Sequence, residues 1–120
     1  MPKAKKKVEN KRVYELIIAL KPLLPDEVRK EIHKGFVDLV ESNDGEVLDV
    51  DVWGKRYLAY EIDGQDEAYY IIYNYEIEPK HIAEIRRQLQ LKQEILRYMI
   101  VEVDYPEDIG TRIKKKVIKI

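Results

Sequence analysis

Two kinds of hydrophobic spacing alternate along this chain, period two and a stripe at threes and fours, and their order predicts its architecture. The densest apolar run is 68–77, AYYIIYNYEI, rich in β-branched and aromatic residues and free of Pro and Gly. Alternation places Tyr69, Ile71, Tyr73, Tyr75 and Ile77 on one face and Tyr70, Ile72, Asn74 and Glu76 on the other. Apolar residues on both faces mark a central strand. Residues 13–20 read the same way, with Tyr14, Leu16, Ile18 and Leu20 towards the core and Val13, Glu15, Ile17 and Ala19 opposite. A helix follows to about Ser42. Pro25 suits its first position, Asp26 and Glu27 its positive end, and Val28, Ile32, Phe36, Leu39 and Val40 form its apolar stripe.

Residues 46–62 predict a long strand interrupted near Gly54. Val47, Val50 and Val52 do not keep strict alternation, which together with the glycine points to a bulge. Beyond the break, Leu58, Tyr60 and Ile62 fall on one face and Tyr57, Ala59 and Glu61 on the other. Asp63-Gly64 closes a hairpin onto the central run. Pro79 opens a second helix with Ile82, Ile85, Leu89 and Leu91 as its buried stripe. The last strand, 95–104, turns Leu96, Tyr98 and Ile100 one way and Arg97, Met99 and Val101 the other.

Strand, helix, hairpin, helix, strand makes two split βαβ halves. Right-handed crossovers leave room for one strand inside each half. The expected fold is therefore α+β, ferredoxin-like βαββαβ, a four-stranded antiparallel sheet of order 4-1-3-2 with two helices on one face. The face without helices would carry Ile17, Tyr57, Tyr70, Ile72, Met99 and Val101, together with Ala19 and Ala59. That is more apolar surface than a soluble monomer leaves bare, so a protein partner is expected there. Strand one begins, and strand four ends, at the same end of the sheet, so both terminal segments should leave from one place.

Charge sharpens this picture. The net −1 hides a basic start, with Lys3, Lys5, Lys6, Lys7, Lys11 and Arg12 against Glu9. It also hides a basic end, with Arg112, Lys114, Lys115, Lys116 and Lys119 against Glu107 and Asp108. Residues 13–104 are acidic. Like charges converging on one end of a domain favour an anionic partner. The expected division is a basic arm at 1–11, a folded domain at 12–104 and a basic tail at 105–120. No cysteine is present, which excludes disulfides and thiolate metal sites and suits a reducing cytosol. No apolar run approaches the ~20 residues that span a bilayer. The basic N-terminus lacks the apolar segment of a signal peptide, so neither membrane insertion nor export is expected. His33 and His81 have no cysteine, second histidine or carboxylate cluster beside them and read as polar helix residues. No cofactor, metal or small-molecule substrate is expected.

The segment WGKRYLAY at 53–60 resembles the S-six family of bacterial small-ribosomal-subunit proteins. So do the Tyr14-Glu15 opening of strand one, the Gly45-Glu46-Val47 turn and Arg97-Tyr98-Met99 at the start of strand four. The likeness extends over about residues 12–104. It implies a structural, non-catalytic, cytoplasmic constituent of the ribosome. Such a protein would bind the central domain of small-subunit ribosomal RNA together with the very basic ribosomal protein eighteen. On matching positions it implies RNA contacts at Lys11, Arg12, Lys55, Arg56 and Arg97, and partner contacts at exposed sheet residues such as Tyr70 and Met99. In the family two basic residues commonly stand immediately before the Tyr-Glu pair, whereas here Val13 intervenes.

Other functions of this topology fit less well. An acylphosphatase needs an Arg in the loop after strand one to hold phosphate, and Lys21-Pro22-Leu23-Leu24 supplies none. A free RNA-recognition module would need glycines and basic residues around Tyr70, and 67–73 lacks both. A stand-alone or dimerising ferredoxin-like module outside the ribosome would use the same open face without needing basic arms.

Overall fold

A computed structural model describes residues 10–103. The 1–9 part of the expected N-terminal arm, the 105–120 tail and Asp104 lie outside the described residues. The elements run β1 (Arg12–Leu20), α1 (Asp26–Ser42), β2 (Glu46–Ile62), β3 (Gln65–Ile77), a 3₁₀ turn (Pro79–His81), α2 (Ile82–Gln90) and β4 (Ile95–Val103). The sheet order is β2-β3-β1-β4, all pairs antiparallel, which is the expected order read from the other edge. Val13 lies opposite Val103, so the described body begins and ends at one place on adjacent strands.

The core is built on the face that alternation assigned to the helices. Leu16, Ile18 and Leu20 of β1 and Ile71, Tyr73, Tyr75 and Ile77 of β3 are buried against Ile32, Phe36 and Val40 of α1 and Ile85 and Leu89 of α2. Burying a side chain of this size is worth about 1.5–3 kcal/mol, so this cluster supplies most of the drive to fold. Phe36 meets both tyrosine rings, at 4.6 Å from Tyr73 and 5.3 Å, edge-on, from Tyr75.

Local chemistry explains the element ends. Pro25 stands just before α1 as its N-cap rather than inside it, and its carbonyl accepts from the N–H groups of Val28 and Arg29. Asp44 takes the left-handed conformation after α1 (φ 65°). Gly45 is required for space: a Cβ there would sit 2.7 Å from the Glu76 carbonyl and 2.9 Å from Val40 Cγ1. Asp63 and Gly64 both have positive φ and form the two-residue hairpin turn between Ile62 and Gln65. Leu91 is 64% exposed because α2 ends at Gln90, so it does not join the buried stripe.

β2 contains the expected irregularities. Its register against β3 shifts between Val47 and Asp49, between Val52 and Gly54, and again between Tyr57 and Ile62. The first shift lets Val47 and Val50 share the core face despite their odd spacing. The second, with Gly54 at φ 79°, re-aims everything beyond it. Gly54 pairs with Tyr70 and Arg56 with Ala68, while Lys55 and Tyr57 pair with Tyr69 and Glu67. Tyr57 therefore lies on the side of Tyr69, not on the helix-free face where simple alternation put it. One extra residue at the bulge reversed its direction.

Candidate nucleic-acid and partner interface

The face without helices is formed by Val13, Glu15, Ile17 and Ala19 on β1, Ala68, Tyr70, Ile72 and Asn74 on β3, and Arg97, Met99, Val101 and Val103 on β4. It was expected to be bare, but its middle is enclosed within the chain. Ile72 is 0% exposed, and Glu15, Asn74 and Ala19 are 1% exposed. Trp53, the extra residue of the Gly54 bulge, lies near this middle. It is buried, and its indole N–H donates to Asp51 Oδ2, on the residue opposite Ile72. Ile72 is thus a core residue and offers no contact surface. Of the other residues assigned to a partner, Met99 is 53% exposed and Ile17, Tyr70 and Val101 are half-buried. Tyr57 is 78% exposed, on the opposite side.

The five basic residues do not form one patch. Lys11 and Arg12 stand at the end where β1 begins, and Arg12 Nε lies 3.6 Å from Glu102. Arg97 pairs across from Ala19 at the other end of β1, seven residues or about 23 Å away at strand spacing. Arg56 and Lys55 are at that second end, on the hairpin, where successive positions turn them to opposite sides. All of Arg12, Lys55, Arg56 and Arg97 are exposed.

At the second end the hairpin reaches across the sheet. Residues 54–68 extend beyond β1, which pairs with β3 only from Tyr69 onward. Although β4 is three strands from β2, Arg97 Nη1 donates to the Tyr60 hydroxyl at 3.4 Å. The hairpin must therefore curl over the helix-free side. The bond to Tyr60 is the main reason that the Arg97 guanidinium holds its proton more tightly than usual. The phenol of Tyr70 is raised by burial, an effect that the nearby Arg97 opposes. Tyr60 is 63% exposed, so its ring faces solvent while its hydroxyl is tied. Sequence reading did not single out Tyr60 as a site residue. Alternation set Tyr60 with Leu58 and Ile62 on the side away from Tyr57, the helix-covered side, and the extra residue at the Gly54 bulge brings it to the helix-free side instead.

His33 is half-buried on α1 and is bound to Tyr73, not set up as a ligand. Among the described residues no group of three or more His, Cys, Asp or Glu side chains is placed to hold a metal. Among the same residues no helix is long and apolar enough to cross a membrane. A groove of about 320 Å³ between α1 and α2, lined by Ile18, Phe36, Leu39 and Leu89 among others, contains none of the sequence-predicted contact residues.

Comparison with known proteins agrees with this geometry. The family model described as ribosomal protein S6 matches residues 13–102. The chain is 39% identical over 93 residues to the small ribosomal subunit protein bS6 of Thermoanaerobacter pseudethanolicus, covering 78% of this chain and 98% of that protein. It is 36% identical over 96 residues to the bS6 protein of Dictyoglomus turgidum, covering 80% and 99% respectively. The crystal structure of 30S ribosomal protein S6 from Thermotoga maritima superposes with a TM-score of 0.74 at 23% identity. That match covers 88% of this chain and 96% of the other, and shows the shared fold.

Proposed function

The chain belongs to the ribosomal protein S6 family, and from that premise we propose that it is a structural, non-catalytic constituent of the small ribosomal subunit in the cytoplasm. In this reading it binds the central domain of small-subunit ribosomal RNA together with ribosomal protein eighteen. The folded domain is 12–104, flanked by a basic arm at 1–11 and a basic tail at 105–120. RNA contact falls to Arg56 and Arg97 at one end of the sheet, with Lys55 on the other side of the same hairpin, and to Lys11 and Arg12 at the other end. Partner contact falls to Ile17, Tyr70, Met99 and Val101.

The observation that carries this reading is the rim of the helix-free face. Met99 stands exposed there between Arg97 and Val101, on a body whose acidic residues outnumber its basic ones. A large exposed apolar side chain on an acidic sheet suits a basic protein partner, and charge complementarity would speed and orient the encounter. The two separated basic ends suit an RNA that follows the long axis of the strands. The test is sedimentation of the tagged chain with small ribosomal subunits, before and after the Met99→Asp substitution. Co-sedimentation that Met99→Asp weakens supports the reading. Recovery only in the free fraction would instead indicate a stand-alone module outside the ribosome.

A further inference from the structure

The corner where Tyr60 meets Arg97 combines features that a phosphate-binding patch does not need. The hairpin 54–68 carries Lys55 and Arg56 but also Glu61, Asp63, Asp66 and Glu67, so it is net negative. A duplex is held largely by neutralising many phosphates and releasing their counterions. An acidic hairpin with only Lys55 and Arg56 can neutralise one or two phosphates at most, and its four carboxylates repel a duplex backbone laid along it. Base stacking on an aromatic face carries no such requirement, because every base has a π-face whatever its charge surroundings.

Tyr60 has the geometry for stacking. The residue is 63% exposed, yet its hydroxyl accepts from Arg97 Nη1 at 3.4 Å, so less side-chain freedom remains to be lost on binding. The remaining guanidinium N–H groups of Arg97 project from the same spot and can take one phosphate. Tyr70, half-buried, stands on the same face one strand beyond Ala19, the residue opposite Arg97.

We propose that Tyr60, Arg97 and Tyr70 form a binding site for a single unpaired nucleotide of RNA, its base stacked on Tyr60 and its phosphate on Arg97. This rests on the ribosomal-RNA reading above and deepens it, because it assigns this corner to a single strand and not to a helix backbone. Tyr60 supplies the stacking face, Arg97 the charge, and Tyr70 the wall.

The test uses the full chain and fluorescently labelled ten-nucleotide oligo(U) and oligo(A), against a blunt ten-base-pair RNA duplex. Salt is held at about 0.3 M to suppress the long-range pull of the basic arms. Single strands should bind more tightly than the duplex. Tyr60→Ala should lose about 5- to 150-fold of single-strand affinity, the range expected for one stacked base. Tyr60→Phe keeps the ring and should stay within about threefold of the parent chain, as expected for loss of a single neutral hydrogen bond. Equal binding of single strand and duplex, an unaffected Tyr60→Ala, or equal losses in Ala and Phe would each overturn the proposal. If Tyr60→Ala does not fold, Tyr60→Leu replaces it, preserving apolar bulk without the π-face. Co-sedimentation with small subunits, measured on the same variants, separates the two readings. Retained co-sedimentation with no stacking signature sinks only this inference, and lost co-sedimentation by the parent chain sinks the ribosomal one.

Discussion

Nδ1 of His33 on α1 lies 2.9 Å from the Tyr73 hydroxyl on β3, and the two rings stack with centroids 5.6 Å apart at 20°. Tyr73 is 1% exposed, so this bond satisfies a hydroxyl that water does not reach. His33→Leu should destabilise the domain by about 1–3 kcal/mol, the range for a buried polar group left without its partner. Adding Tyr73→Phe should recover part of that loss, because both polar groups are then gone. Urea unfolding of the two single variants and the double variant measures the coupling. Simple additivity would show that the contact contributes nothing.

Tyr75 provides the contrast. It is 0% exposed, and its hydroxyl has no hydrogen-bond partner among the described residues. Tyr75→Phe removes that unsatisfied oxygen while keeping the ring against Phe36. The variant should be as stable as the parent or up to about 1 kcal/mol more stable. A loss above that would reveal a partner for the hydroxyl.

Burial raises the ionisation of both Tyr73 and Tyr75 well above the ordinary tyrosine value of 10.0. Below pH 10 the phenols are neutral in both folded and unfolded chains, so they add no pH dependence. Above pH 10 the unfolded chain loses these protons while the folded one keeps them. Stability should therefore hold up to about pH 10 and fall as the pH rises further. Absorbance titration at about 295 nm should show two tyrosines ionising only as the fold is lost. Smooth titration of all nine tyrosines in the folded chain would contradict this.

Two glycines should respond in opposite directions to the same change. Gly45→Ala forces a methyl against the Glu76 carbonyl and Val40, and should cost about 1–3 kcal/mol as overpacking. Gly35 lies inside α1, with nothing within 4 Å of the position a Cβ would take. Gly35→Ala should stabilise by about 0.5–1 kcal/mol through helix propensity. Thermal melting of both variants decides it, and a shift of equal sign would refute the assignment.

Arg12 and Arg56 mark the two ends of the proposed RNA path. Removing either as Ala should weaken binding to small-subunit ribosomal RNA and lower the steepness of its salt dependence by about one phosphate contact. The melting temperature should change little, since both side chains are exposed and the Arg12–Glu102 pair is a surface one. Unfolding of either variant would show a structural role instead.

Alternation and helical spacing along the chain were enough to determine the strands, the helices, the hairpin turn, the sheet order and the core face through Tyr73, Tyr75, Ile32 and Phe36. Each of these follows from local periodicity and from the few ways of connecting such elements. The family was legible too, in the residues around Gly54-Lys55-Arg56. Tertiary structure alone decided that Tyr57 turns away from the helix-free side, that Ile72 and Glu15 are enclosed, and that Tyr60 reaches Arg97. A bulge reverses every side chain beyond it, and its exact position is set by pairing with a second strand. The meeting of Tyr60 with Arg97, or of His33 with Tyr73, depends on how a hairpin curls and a helix settles over the sheet. No spacing within one segment encodes those distances.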